Sequence, residues 1–387
     1  MNTKWNERKL SDIATMIDYR GKTPQKSTSG IPLITAKIVK NGTILPANEF
    51  MTESQYASWM TRGYPCVGDV VMTTEAPLGE VAQLRDARVA LAQRIITIRG
   101  KKDVLDNGYL KYFLQSAEGQ GRLRARETGT TVTGIKAAEL RELLIPLPNI
   151  VQQRKISKVL LDLDEKIYNL TQENHNLEEQ AKAILDQNCL AHKTLKVGDI
   201  VSFANGFAFK SSTYIEKGKF KVVTIKNVQD GKIDTSSADC VHGIPAKMKA
   251  ECILNIGDVL LSLTGNVGRT GIVCENNLLL NQRVAKIIPH QSVLNAVCYF
   301  IFRRPEMKAA LETIARGTAQ ANLSPVETLD IEIPFDIPTL QDIALCMKSF
   351  FEQIISNEME IQKLAQLRDA LLPKLMSGEI DVSEVEV

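Results

Sequence analysis

Two long stretches of the chain carry apolar residues at helical spacing. In the first, Ile156, Leu160, Leu163, Ile167, Leu170, Leu177, Ala181 and Ile184 recur at intervals of four and three, with Asn174 in the remaining slot. In the second, Ile343, Met347, Phe350, Ile354, Ile361, Leu364, Leu371 and Leu375 keep the same phase, with Asn357 and Arg368 in two slots. Heptads sustained over such lengths predict a coiled-coil seam in each place. Each run lacks a second apolar stripe, so the two helices are expected to pair with each other, antiparallel, rather than each packing on its own domain. Asn174 and Asn357 then either fix the register or sit at partly exposed slots.

Elsewhere the period shortens. β-branched runs such as Asp69 to Thr74 and Asp258 to Leu263 are closed by turn signals at Asn41-Gly42, Gly79 and Gly268, the pattern of an α+β domain. The pattern occurs twice. Cys66-Val-Gly-Asp-Val-Val71 reappears as Asn255-Ile-Gly-Asp-Val-Leu260, and Leu91-Ala-Gln-Arg-Ile95 as Leu280-Asn-Gln-Arg-Val284, both at an offset of 189. Gly129-Thr130 and Ile145-Pro146 return at Gly317-Thr318 and Ile333-Pro334, offset 188. The chain therefore reads as a tandem duplication. The expected organisation is a globular domain over 1–148, a helix over 149–191, a second domain over 192–338, a second helix over 339–377 and a tail over 378–387. The fold class is α+β: two similar globular domains separated by two long helices that form an antiparallel coiled coil, with a pseudo-twofold internal repeat.

Composition narrows the classes. Apolar residues make up 44% and charged residues 24% of the 387, as in ordinary globular proteins. Seven cysteines form no CxxC and are not interleaved with the four histidines at metal-ligand spacing, so no metal site is expected, and the thiols suit a reducing, cytoplasmic setting. No apolar run is long enough to span a membrane. The formal charge of +2 hides a split: +6 over 1–150, −1 over 151–193, +2 over 194–338 and −5 over 339–387. The two positive blocks are the two globular domains, which permits polyanion binding.

No catalytic constellation is present: the chain has no phosphate-binding loop, dinucleotide fingerprint, HExxH or GxSxG. Asp69 and Asp258 precede strands in Gly-Asp turns, where a carboxylate ordinarily bonds local backbone. The repeats share cationic and amide side chains on loops instead. Gln93 and Arg94 match Gln282 and Arg283, and Lys37 matches Lys226. Arginine and glutamine suit base edges and lysine suits phosphate, although retention in both halves serves a scaffold role equally well. Positions that differ are candidates for reading different base sequences: Thr73-Thr74-Glu75 against Ser262-Leu263-Thr264 and Glu80 against Arg269, with Asn266 in the same turn as Arg269. A third group precedes the Gly-Thr turns, with Arg124, Arg126 and Thr130 in one half and Arg316, Thr318 and Gln320 in the other; these suit a phosphate or a capped helix end.

The chain ends in Leu367-Arg-Asp-Ala-Leu-Leu-Pro-Lys-Leu-Met-Ser-Gly-Glu-Ile380, and Ile145-Pro-Leu-Pro148 runs into Gln152-Gln-Arg154. With the alternation of two variable domains and two similar helices, this closely resembles the DNA specificity subunit of type I restriction-modification enzymes. The second half carries a weaker copy, Pro334-Phe-Asp-Ile-Pro338 then Gln341-Asp-Ile343. The resemblance implies a non-catalytic subunit whose two target recognition domains each read one half of a bipartite, asymmetric site in double-stranded DNA, with the helices setting the spacer. It implies two methyltransferase subunits as partners, carrying S-adenosylmethionine, and restriction or motor subunits using ATP and Mg, with no cofactor on this chain. The competing reading is a tandem-domain protein-interaction scaffold that does not touch DNA.

Overall fold

The computed structural model describes residues 5–21, 23–129, 133–190, 192–316 and 322–386. The chain divides into two compact units, one formed by Met1–Glu165 with Leu364–Val387, the other by Lys166–Lys363.

The first unit is built on a four-stranded antiparallel sheet in the order Ala14–Asp18, Ile95–Gly100, Val70–Thr74, Leu78–Gln83. A smaller sheet pairs Phe50–Met51, Ile31–Ile34 and Ala90–Leu91. The opening segment Asn6–Lys9 pairs antiparallel with Leu144–Leu147, which joins the beginning of the domain to its end. The second unit repeats this plan. Its main sheet runs Val201–Asn205, Val284–Pro289, Val259–Ser262, Thr270–Ile272, with Gly231–Lys232 added at the edge, and Leu195–Lys196 pairs with Glu332–Ile333.

The repeated glycines have a conformational cause. Gly68 and Gly257 adopt left-handed φ values of 86° and 90°, which only glycine takes without strain. The following aspartates close the same turns: Asp69 Oδ2 accepts from Cys66 N and Asp258 Oδ2 from Asn255 N, both at 2.8 Å. Their remaining oxygen capacity goes to Arg99 and Lys286, so both acids are turn residues.

The first long helix spans Ile150–Gln187 and the second Ile337–Met376. Each start is capped by a side chain ahead of it: Asn149 Oδ1 accepts from Gln152 N and Asp336 Oδ1 from Thr339 N. The hydrogen bonds from Thr339, with the Lys193 ammonium, hold the pKa of the Asp336 carboxyl down at about 2. Pro338 falls in the first turn, where its missing N–H costs nothing.

In the second unit the two helices pair antiparallel. Asn357 Nδ2 donates to Asn174 Oδ1 at 2.8 Å, Asn174 Nδ2 donates to Glu358 Oε1 at 3.0 Å, and Lys166 pairs with Glu360. The structure brings the two asparagines together, each buried. One expectation is corrected. The helices do carry a second apolar stripe, which packs on the domain: Leu340, Ala344, Met347 and Phe351 share a core with Val297, Tyr299 and Phe302. Hence Phe351 and Leu185 are fully buried, while the neighbouring Phe350 and Ile184 are only partly so. Leu163, Ile167, Leu177, Ile343, Ile361, Leu364 and Leu371 are likewise half-buried, and Ile156, Leu160, Leu170, Met347 and Ile354 are buried.

The first unit closes its helix packing with charge. Asp164 meets Lys111 Nζ at 2.5 Å, Tyr112 Oη at 2.6 Å and Arg368 Nη1 at 2.9 Å, and Lys111 is 4% exposed. Burial pushes the Lys111 ammonium below its usual value. Burial pushes Asp164 up, but Lys111, Tyr112 and Arg368 hold it below the usual carboxylate range. The repeat-equivalent positions in the second unit are Tyr299, Phe351 and Ala181; the rings of Tyr299 and Phe351 lie 5.3 Å apart, and the Tyr299 hydroxyl donates to Glu178 Oε1 at 3.0 Å beside Arg303.

Two predictions follow from these contacts. Asp164→Ala leaves Lys111 buried without its carboxylate and should cost about 3–5 kcal/mol in denaturant unfolding. Glu358 is held above the usual carboxylate range by burial, so its ionised form opposes folding, and stability should rise as pH falls through that raised value. Glu358→Gln should therefore stabilise the chain at neutral pH and remove that part of the pH dependence, as read by thermal melts across pH 4–8.

Candidate DNA-binding surface

In the first unit, three loops meet at one end of the main sheet around a cleft of about 420 Å³. One is the turn after Val70–Thr74, contributing Thr74 and Glu75. The second is the turn before Ile95–Gly100, contributing Gln93 and Arg94. The third holds Thr128 and Gly134, whose backbones exchange hydrogen bonds at 2.8 and 3.1 Å.

The backbone of this end is fixed. Thr74 donates to Arg94 O through both N and Oγ1, at 3.1 and 3.3 Å, and Ile135 N donates to Thr74 O at 3.0 Å. On this frame stand the exposed Arg94, whose Nε lies 3.0 Å from Glu75 Oε1, the half-buried Gln93 and the exposed Lys136. Arg20 lines the same cleft. Its Nη1 donates to Ile135 O at 2.9 Å, while Nε and Nη2 grip Asp18. Burial pushes Asp18 up, yet the Arg20 guanidinium holds it below the usual range. Arg20 thus braces the wall, and Arg94 and Lys136 present the charge.

The second unit repeats the frame with different side chains. Leu263 N donates to Arg283 O at 2.9 Å and Leu323 N to Leu263 O at 2.7 Å, and Thr264 bridges to Asn322 as Glu75 bridges to Gly134. Gln282 and Arg283 are exposed, and Arg283 takes a left-handed φ of 72°. Arg269 donates to Gln229 at 3.0 Å, and the Asn266 amide, with its oxygen turned toward it, lies 3.1 Å away. Thr264 stands where Glu75 does, and Phe207 where Arg20 does.

The other sequence candidates scatter. Thr73 is fully buried and its hydroxyl accepts from Glu80 N at 2.9 Å, so it holds the strand end and presents no surface. Lys37 and Lys226 are exposed on the loops after the strands Ile31–Ile34 and Phe220–Val223, with Lys37 3.6 Å from Glu49. Arg124 is exposed at the end of the helix Ala117–Arg124, and Arg126 pairs with Glu139 at 3.2 Å. Thr130, Thr318 and Gln320, and the side chain of Arg316, lie outside the described residues. Arg20 and Lys136 escaped the sequence reading because the repeat carries neither cation in its second copy, and the repeat was the signal used.

Comparison with known proteins decides the family. The model of the type I restriction modification DNA specificity domain matches twice, over residues 2–179 and 192–366. The chain belongs to that family. Among its relatives, the type I restriction enzyme MjaIX specificity subunit of Methanocaldococcus jannaschii is 26% identical, covering 98% of this chain and 94% of the relative. The HindI specificity subunit of Haemophilus influenzae is 34% identical over a segment covering 35% of this chain and 28% of that one. The crystal structure of a type I restriction-modification S subunit from M. genitalium shares the fold, with a TM-score of 0.60 over 97% of this chain and 96% of that one at 18% identity. The chain is a type I specificity subunit with two DNA specificity domains, which displaces the reading of a scaffold that does not touch DNA. Among the described residues no helix is long and apolar enough to cross a membrane.

Proposed function

We propose that each unit reads one half of a bipartite, asymmetric double-stranded DNA site through the loops at the end of its main sheet, and that the two long helices set the spacer. The observation that carries this reading is the repetition of one backbone frame, Thr74 with Arg94 and Leu263 with Arg283, beneath side chains that differ: Glu75 against Thr264, Glu80 against Arg269, Arg20 against Phe207. A shared frame with exchanged side chains is what two readers of different half-sites require, because phosphate contacts position and base contacts specify. The site residues, Lys37, Glu75, Gln93, Arg94, Lys226, Gln282 and Arg283 foremost, act here by binding and not by catalysis.

In this reading the chain works in the cytoplasm as the non-catalytic member of a larger enzyme. Two methyltransferase subunits dock on it and supply S-adenosylmethionine chemistry at the DNA, and motor and nuclease subunits using ATP and Mg complete the restriction enzyme.

A salt titration of duplex binding by the full chain tests the reading. The affinity should fall steeply with salt, and Lys37→Ala with Lys226→Ala should lower the log–log slope by roughly two while leaving sequence preference intact. A flat salt dependence would remove DNA from the account.

A further inference from the structure

We propose that the Arg94–Glu75 pair of the first unit reads one G·C base pair through the major groove, with Arg94 on guanine and Glu75 on cytosine. This deepens the DNA-reading function above and rests on it.

The arginine is held in a way that leaves its tip available. Its carbonyl is fixed by two donors from Thr74, and its Nε faces Glu75 at 3.0 Å. The two terminal nitrogens have no other partner among the described residues, and the side chain is 57% exposed at the mouth of the cleft. An arginine oriented through Nε presents its two terminal N–H groups as a parallel pair, the arrangement that matches guanine O6 and N7. Glu75, 40% exposed, keeps acceptor capacity beyond that contact, since a carboxylate has about four lone-pair positions.

On the major-groove edge of a G·C pair, the acceptors of guanine lie beside the N4 amino donor of cytosine. A cation and a carboxylate side by side match that edge. An A·T pair breaks the match: adenine N7 still accepts, but the second arginine N–H meets the N6 amino donor and the carboxylate meets O4 of thymine, so like faces like at those two atoms. The discrimination thus comes from mismatch as well as from match. The second unit lacks the device, because Thr264 replaces Glu75 and Arg283 has no carboxylate at the equivalent position. The two half-sites should therefore differ at this pair.

The test is selection from a randomised duplex pool by the full chain, then anisotropy titration of the selected duplex and of versions with each base pair replaced. The wild-type chain should select a G·C pair in one half-site and bind it roughly ten- to hundred-fold more tightly than the A·T replacement. Arg94→Ala should cut that preference to within about threefold, and Glu75→Gln should relax it toward A·T, because an amide can donate to thymine O4. Arg283→Ala should leave this half-site unchanged, and unaltered melting temperature and low-salt affinity for unselected DNA exclude misfolding. If Arg94→Ala and Glu75→Gln leave every base preference as it was, the pair is scaffold and the proposal is wrong while DNA reading stands. If the wild-type chain selects no sequence, the proposal and the DNA-reading function beneath it both fail.

Discussion

Each unit closes its core with residues from both long helices. The first needs Leu375 and Met376, from the end of the second long helix, beside Tyr109, Ile156 and Leu160; the second needs Ala181 and Leu185, from the end of the first long helix, beside Tyr299 and Phe351. Antiparallel helix pairing is therefore a folding constraint in each unit before it is a functional one. The β-sheets, the fixed strand ends and the loops they carry all stand on a core that the paired helices complete.

The two units meet this requirement differently. Where the second uses Tyr299, Phe351 and Ala181, the first uses Lys111, Asp164 and Arg368. A buried ion cluster is weak ground for stability, because desolvation of the charges offsets much of their attraction, but it is demanding in geometry. The Gln353, Asn357, Asn174 and Glu358 chain of hydrogen bonds is similarly demanding within the second unit. Apolar contact sets the strength of the packing, and these polar clusters set its register. The loop ends then inherit a fixed backbone on which side chains can vary without disturbing the sheet.

Much of this was legible in the sequence because duplication writes the same pattern twice. The offset of 189 at Gly68 and Gly257 marks turns whose left-handed backbone admits little else, and the heptads mark the helices. What stayed hidden depends on contacts between distant positions. Arg368 looked like an exception in a seam until Asp164 and Lys111 were seen beside it. The second apolar stripe was missed because Ala344, Phe351 and Leu185 sit one residue from seam positions and read as part of them. In the candidate surface, Gln93, Arg94 and Glu75 were found through the repeat, while Arg20 and Lys136 were not, having no cationic counterparts. Thr73 was selected by its neighbours, but strand alternation turns it inward.

In the proposed function both units engage one DNA site, and the long helices set the spacer between its halves. The most direct test is binding of the full chain to duplexes that carry both selected half-sites separated by spacers differing in single base pairs. The account predicts tight binding at one spacing and a steep loss on adding or removing one base pair, since each step shifts and rotates one half-site against the other. Equal affinity across spacings, or a lone half-site bound as tightly as the pair, would contradict it.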